Sequence, residues 1–179
     1  MSALQITYVG NFEPEHSTEN DIRKALETLG HEITCVQEDK APWLDLTDTD
    51  LLLWTSTWDA TPLAHDIDRI RHDCAYHGVT SAAVHLDVFW GTDRGGRDWH
   101  TNPMWKLQHA FTADGDHQTE FDLFGVNHHW LPPGVRHDAC HPGTHREEYD
   151  CDVAFVGSNG VGYHEDVWPY RRQLVDQLR

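Results

Sequence analysis

The chain contains two segments of the same kind, one near its beginning and one near its end. Ile6–Gly10 is a short apolar run ending in glycine, and a polar loop leads from it to a helical pattern containing Arg23-Lys24. Val153–Gly157 leads in the same way to a helical pattern containing Arg171-Arg172. A strand, a loop and a helix repeated at matching spacing are typical of the first βα unit of a Rossmann-like domain. We therefore expect one such domain and the first unit of a second.

Between these two segments, apolar strand patterns alternate with helical ones. Leu51–Trp54 and Ser81–Leu86 are continuous apolar runs of the kind buried on both faces in a parallel sheet. The alternation predicts an α/β fold, a Rossmann-like parallel sheet with helices on both faces. The remaining predicted elements are strands Gln5–Val9, Glu32–Val36, His109–Ala113 and His128–Leu131, with helices from Ser17 or Thr18 to Gly30, Pro62–Gly78 and Glu120–Phe124.

The domain organisation follows from this pattern. Residues 1–135 are expected to form a Rossmann-like domain. Residues 136–151 are polar, contain proline and glycine and lack periodicity, which predicts a linker. Residues 152–179 are expected to form the first βα unit of a second Rossmann-like domain.

The charge of the chain is strongly negative, with 13 Lys and Arg against 30 Asp and Glu and a net charge of −17. Such a field repels phosphate backbones and anionic membranes, so we expect no non-specific binding of nucleic acid. Two interpretations stay open: an adaptation for solubility, and an acidic decoy that blocks a nucleic-acid-binding partner.

The four cysteines form no CxxC pair, and Cys35 and Cys74 lie in apolar patterns that predict buried free thiols. No charged leader followed by an apolar run opens the chain, and no segment has the length of a membrane span. These features predict a cytoplasmic protein.

Candidate ligand-binding residues follow the strands, because the βα loops of a parallel sheet meet at the carboxyl ends of its strands. His16, just before a helix start, could accept a proton from a hydroxyl group, and Asp87 could orient its ring. The alternative for His16 is a solvent-exposed loop histidine. The other candidates are Gly10, Asn11, Glu13, Ser17 and Thr18 after the first strand, and Asp114 after a later one.

A second group of candidates lies in the second βα unit. Gly157, Ser158 and Asn159 begin a glycine-rich loop whose backbone N–H groups could approach a phosphate. The pattern matches neither the dinucleotide fingerprint nor a Walker loop, so the motif alone is not specific.

Histidines and a cysteine at 137, 140, 141 and 145 have spacings found in zinc sites, but Pro142 and Gly143 interrupt them in a polar linker. We therefore expect no metal site. The pair His128-His129 has a simpler interpretation, because consecutive residues of a strand face opposite sides of the sheet.

Several motifs together resemble the group 1 glycosyltransferases of the spore-maturation-protein type. The resemblance is carried by the segments at 6–10, 16–19, 29–33, 127–135 and 152–157, and by Tyr170–Arg172. It implies a GT-B architecture of two Rossmann-like domains, in which the amino-terminal domain binds the acceptor and the carboxy-terminal domain binds a nucleotide sugar.

The resemblance also implies roles for the candidates. His16 occupies the position of the acceptor base in many relatives by fold. The other candidates of the first domain, from Gly10 to Asp114, would bind the acceptor, and residues 157–159 would lie on the donor side. The nucleotide sugar is a co-substrate, the acceptor is a small molecule or glycan, and neither a cofactor nor a catalytic metal is implied. The chain would then be the acceptor-side domain of such an enzyme, expected to be catalytically incomplete without further donor-domain residues.

Two other classes of function stay open. The first is a stand-alone Rossmann-like domain that binds a small ligand at the point where the strand order reverses. The second is the acidic interaction or decoy protein suggested by the charge.

Overall fold

The computed structural model of the chain describes residues 2–40, 44–56, 62–86, 90, 99–135, 144–147 and 177. Residue contacts divide the chain into two compact units, residues 1–134 and 135–179. Almost all of the described residues belong to the first unit, and the sheet, helices and core described for this protein are those of the first unit alone.

A single parallel sheet forms the centre of the first unit. Across the sheet the strand order is β2-β1-β3-β4-β5-β6, and each neighbouring pair is parallel. The predicted α/β Rossmann-like class is therefore confirmed. In the described part of the chain the strands are β1 (Gln5–Gly10), β2 (Glu32–Gln37), β3 (Leu51–Thr55), β4 (Thr80–Val84), β5 (His109–Thr112) and β6 (His128–Trp130).

The described helices connect these strands. They are α1 (Thr18–Thr28), α2 (Pro62–His65), α3 (Ile67–His77) and α4 (Gln118–Leu123), with 3-10 turns at Glu38–Lys40, Trp99–Thr101 and Pro103–Lys106. The sequence predicts one helix over Pro62–Gly78, whereas the structure interrupts it at Asp66. The backbone of Asp66 leaves the helical region, at φ −100° and ψ 13°, an area of conformational space in which turn residues lie.

The core consists of two apolar layers, one on each face of the sheet. Helices α2 and α3 cover the first layer, which includes Val9, Leu52 and Trp54 of the central strands. Helix α1 covers the second layer through Ile22 and Leu26. Alternate side chains of β1 and β3 thus face opposite sides of the sheet, and helices cover both sides, as the apolar strand patterns predict.

One of the two predictions about buried cysteines is wrong. Cys35 is exposed, because β2 is an edge strand with a neighbour on one side only. Ala25 and Leu29, which continue the apolar spacing of α1, are also exposed, and Leu29 is the carboxyl-terminal cap, 65% exposed. Cys74, on the buried face of α3, is a buried free thiol as expected.

Two predicted helix ends depend on glycine. Gly30 and Gly78 follow α1 and α3 with φ of 89° and 70°, in the left-handed region that other residues avoid. After Gly78, the N–H of Val79 donates to the carbonyl of Cys74 at 2.8 Å, which closes the end of α3. None of the described helices is both long and apolar enough to cross a membrane.

Candidate functional site

The strand order reverses between β1 and β3, and this position selects the candidate site. β1 is followed along the chain by β2 on one side and then by β3 on its other side. The loops after β1 and β3 therefore diverge to opposite faces and leave a crevice at the carboxyl ends of the two strands. The loop between β1 and α1 borders this crevice.

Two amide side chains hold that loop in place. Asn20, in the first turn of α1, donates from Nδ2 to the carbonyls of Phe12 and Pro14, both at 3.0 Å. Gln37, the last residue of β2, accepts from the N–H of Phe12 at 2.8 Å and donates to Asn11 Oδ1 at 2.9 Å. The loop backbone is thus fixed from both sides, by the following helix and by the neighbouring strand.

The start of α1 is capped by Ser17, one of the two residues predicted to begin this helix. Its Oγ accepts from the N–H of Asn20 at 3.1 Å, and Asn20 Nδ2 approaches the same oxygen at 3.1 Å. Thr18 is the first helical residue and is exposed. Asn11 and Ser17 therefore already serve the loop structure, and acceptor binding by these residues stays a prediction.

His16 lies at the exposed surface of this loop, directly before Ser17. No described residue forms a hydrogen bond with its ring. Glu13, another candidate, is exposed in the same loop. Asp87, proposed to orient His16, lies outside the described residues, so the pairing stays a prediction.

A buried carboxylate lies below the loop. Glu19, in the first turn of α1, is 5% exposed and packs against Gly10, where a Cβ on the glycine would lie 2.8 Å from Glu19 Cγ. Sequence reasoning selected Gly10 and missed Glu19. Glu19 could have been selected from its position in the sequence. It lies two residues after a predicted helix start, where a carboxylate interacts favourably with the helix dipole.

A hydrogen bond joins β1 and β3 on the same side of the sheet. The hydroxyl of Tyr8 and Oγ1 of Thr55 are 2.8 Å apart, and both residues are fully buried. Burial raises the pKa of the Tyr8 phenol above its ordinary range, and the nearby charge of Glu19 acts in the same direction. Tyr8 therefore stays a neutral hydroxyl beside an acidic group.

The other face of the sheet carries a second buried carboxylate. Trp54 Nε1 donates to Glu38 Oε1 at 3.0 Å, and the two residues are 1% and 0% exposed. Glu38 opens the 3-10 turn after β2, so it also lies at the carboxyl edge of the sheet. Its contact with a core tryptophan explains its burial as part of the fold.

Asp114 belongs to a different part of the edge. It follows β5, which is three strands away from β1, or about 14 Å at the usual spacing between strands. Its N–H donates to Thr112 Oγ1 at 3.0 Å, and its Oδ1 accepts from the N–H of Trp90 at 3.1 Å. Asp114 is 4% exposed. The structure therefore does not place Asp114 beside the loop after β1.

A buried chain of hydrogen bonds continues from Thr112 to His128. Thr112 Oγ1 is 2.8 Å from His128 Nε2, and His128 Nδ1 is 2.8 Å from Gln118 Oε1. Because Gln118 Oε1 can only accept, Nδ1 carries the proton and Nε2 accepts from Thr112. Burial lowers the pKa of His128. The ring is thus a neutral structural group, and His129 faces the other side of the sheet.

The donor-side candidates Gly157, Ser158 and Asn159 lie outside the described residues. Three of the four residues with spacings found in zinc sites, at positions 137, 140 and 141, also lie outside them. His145, the fourth, is exposed. Within the described ranges, no group of three or more His, Cys, Asp or Glu side chains could together hold a metal ion.

Comparison of the chain with protein-family models, with curated protein sequences and with solved structures finds no match.

Proposed function

We propose that the first unit is the acceptor-side domain of a nucleotide-sugar-dependent glycosyltransferase. The observation that carries the proposal is the burial of Glu19 at the start of α1. In Rossmann-like folds that bind nucleotides at this position, the helix start holds a phosphate. Here Glu19 and Asp21 supply negative charge to the first turn, so the position suits a neutral hydroxylated ligand better than an anion.

The surrounding groups support a ligand that offers hydroxyls. The loop after β1 is held by Asn20 and Gln37, so it presents a preformed surface and requires little ordering when a ligand binds. His16 stands at the exposed side of this surface. A sugar or another polyol would find a fixed backbone and one basic group there.

The proposed reaction assigns each atom to a partner. The imidazole of His16 takes the proton of an acceptor hydroxyl, and the acceptor oxygen forms a bond to the anomeric carbon of the donor sugar. The bond from that carbon to the diphosphate breaks, and the nucleoside diphosphate leaves with the electron pair. Asp87 would orient His16, and Gly157, Ser158 and Asn159 would contact the donor.

The proposal includes a donor-binding second Rossmann-like domain that begins near residue 152. It includes no catalytic metal, as the family resemblance implies. A cytoplasmic location is also part of the proposal, since the thiols of Cys35 and Cys74 are free.

The first test is the binding of neutral sugars to the chain, followed by two-dimensional amide NMR. We expect mono- and disaccharides of the acceptor class to shift the amides of residues 10–20, whereas inorganic phosphate leaves them unchanged. Glu19→Gln should retain these shifts and allow phosphate to produce new ones in the same amides. Phosphate shifts in the unchanged chain, without sugar shifts, would refute the acceptor assignment.

A stand-alone ligand-binding domain is the second candidate, and the exposure of His16 favours it. No described residue orients the ring by a hydrogen bond. In that case, sugars would bind with equal affinity to the His16→Gln variant, and no nucleotide sugar would be consumed.

A further inference from the structure

Trp130 presents a large aromatic side chain at the carboxyl edge of the sheet. It is the last residue of the edge strand β6 and pairs with Thr112, the last residue of β5. The N–H of Leu131 donates to the carbonyl of Thr112 at 2.7 Å, which fixes the backbone next to Trp130. Trp130 is nevertheless 62% exposed. Packing in the core therefore does not explain a tryptophan at this position.

Gly115 lies against one face of the indole ring. A Cβ placed on Gly115 would be 3.2, 3.3 and 3.4 Å from Nε1, Cδ1 and Cε2 of Trp130. Cδ1 and Cε2 are both bonded to Nε1, so a point beside the ring edge would be about 4 Å from each of them. The nearly equal distances therefore place Gly115 over the face of the ring, where the missing side chain leaves room for it.

The opposite face of the indole is open to solvent. Since Gly115 covers one face, the exposed area of Trp130 belongs to the other face and to the ring edge. Among the described residues, no aromatic ring contacts this indole and none accepts a hydrogen bond from its Nε1. The fold thus holds a flat apolar surface with an available N–H donor in one orientation, and a ligand that binds there has little to reorder.

We propose that Trp130, supported by Gly115, stacks against one sugar ring of an oligosaccharide acceptor. The face of an aromatic ring is negative, and the C–H bonds on the face of a pyranose carry small positive charges, so the two surfaces attract each other. Asp116 is exposed and follows Gly115 directly, so its carboxylate can accept from sugar hydroxyls. An apolar surface with a few polar groups that fix orientation is the usual composition of a small-molecule site.

Two other ligands fit this surface less well. A nucleotide could stack its base on the indole, but its phosphates would approach Asp114 and Asp116 in a chain with a net charge of −17. A quaternary ammonium ion is typically held by a cage of several aromatic rings, and no second ring of the described residues reaches Trp130. A neutral sugar ring needs only one flat face.

The inference rests on the proposed function and extends it to the length of the acceptor. Strand β6 is four strands away from β1, or about 19 Å at the usual spacing between strands. With C–C bonds of about 1.5 Å, one pyranose unit spans about 5 Å. A monosaccharide bound at the loop after β1 therefore cannot reach Trp130, whereas a linear chain of about four units can.

The test compares glucose with maltotetraose and cellotetraose, and N-acetylglucosamine with chitotetraose, by two-dimensional NMR of the full chain. The chain has eight tryptophans, and the indole N–H signal of Trp130 is the one absent from Trp130→Phe. We expect at least one tetrasaccharide to shift this signal together with the amides of residues 10–20. It should bind about tenfold more tightly than its monosaccharide, which is the effect expected of one stacked ring.

Trp130→Ala should remove the additional affinity for the tetrasaccharide and leave the binding of the monosaccharide unchanged. Phe124→Ala is the matched control, because Phe124 is an aromatic residue of similar exposure, 53%, at the carboxyl end of α4. It should retain the additional affinity. If Trp130→Ala failed to fold, the unchanged chain would still decide, because a Trp130 signal that no tetrasaccharide shifts would overturn the proposal.

Two further results would also overturn it. One is equal affinity of the tetrasaccharides for Trp130→Ala and the unchanged chain. The other is a Trp130 signal that moves with tetramethylammonium, with uridine diphosphate or with protein concentration, and with none of the tetrasaccharides. Failure of the proposed function would look different: shifts of the Trp130 signal without shifts in residues 10–20 would retain the stacking surface and refute the acceptor site at the loop after β1. Shifts in residues 10–20 alone would do the reverse.

Discussion

Gly10 and Glu19 are packed so closely that a side chain at position 10 would force Glu19 to move. A Cβ there would lie 2.8 Å from Glu19 Cγ and 3.4 Å from its Cβ, and Glu19 is buried. The end of β1 and the start of α1 are therefore fitted to each other at the candidate site.

Gly10→Ala is expected to lower the free energy of unfolding by about 1–3 kcal/mol, because Glu19 cannot move away without disturbing α1. Urea unfolding measures this change. Gly134→Ala is the matched control, since no atom lies within 4 Å of a Cβ at that position, and it should change stability little. Equal effects of the two substitutions would show that the contact with Glu19 has no energetic role.

Ser17→Ala tests the cap of α1. The substitution removes the oxygen that accepts from Asn20, so we expect a loss of about 0.5–2 kcal/mol in the free energy of unfolding. Thr18→Ala, at the exposed next position, serves as the control and should have a smaller effect. The prediction fails if Thr18→Ala costs as much as Ser17→Ala.

The fold could be predicted from the sequence because its signals are local. Buried parallel strands such as Leu51–Thr55 are continuous apolar runs, and helix ends such as Gly78 carry a glycine that the left-handed backbone requires. The exposure of Cys35 could not be predicted in this way. It depends on β2 being at the edge of the sheet, and the order of strands in a sheet does not follow from a local sequence pattern.

The candidate site was predicted less completely for the same reason. Residues that follow a predicted strand were taken as candidates, and this criterion selected His16 and Gly10. It also selected Asp114, which follows a strand about 14 Å from β1 in the sheet. Glu19, Gln37 and Tyr8 were missed, because their importance comes from contacts between elements and not from spacing along the chain.

His128 is expected to make the fold sensitive to acid. Burial lowers its pKa in the folded chain, so the unfolded chain binds more protons below the ordinary histidine pKa of about 6.5. Its contribution to stability is therefore complete above about pH 6.5 and is lost as the pH falls towards its folded pKa.

Urea unfolding between pH 7.5 and 5.5 tests this sign. His128→Gln should be less stable at pH 7.5 by about 1–3 kcal/mol, because a buried network is broken, and its stability should fall less with acid than that of the unchanged chain. His72→Gln, at an exposed position, should retain the original pH dependence. A parallel decline in His128→Gln and the unchanged chain would argue against this assignment.

Trp54→Phe is expected to lower the free energy of unfolding by more than the loss of apolar contact alone would. The phenyl ring cannot donate to Glu38 Oε1, which then loses this donor in a fully buried position, at a cost of about 2–3 kcal/mol. Trp130→Phe is the matched control, since Trp130 is 62% exposed, and should change stability by less than about 0.5 kcal/mol. In the Glu38→Gln background the cost of Trp54→Phe should fall, because a neutral amide oxygen replaces the carboxylate.

The proposed base predicts a specific kinetic change in a protein that contains both domains. His16→Gln should reduce kcat for sugar transfer by about 10²–10⁴-fold, the usual contribution of a general base, while acceptor binding is little changed. His72→Gln should leave transfer unaffected. Because His16 is exposed, its replacement should not alter the free energy of unfolding, so a loss of activity cannot be attributed to misfolding. Normal kcat in His16→Gln would assign the proton transfer to another group, and the buried carboxylate of Glu19 would be the next residue to replace.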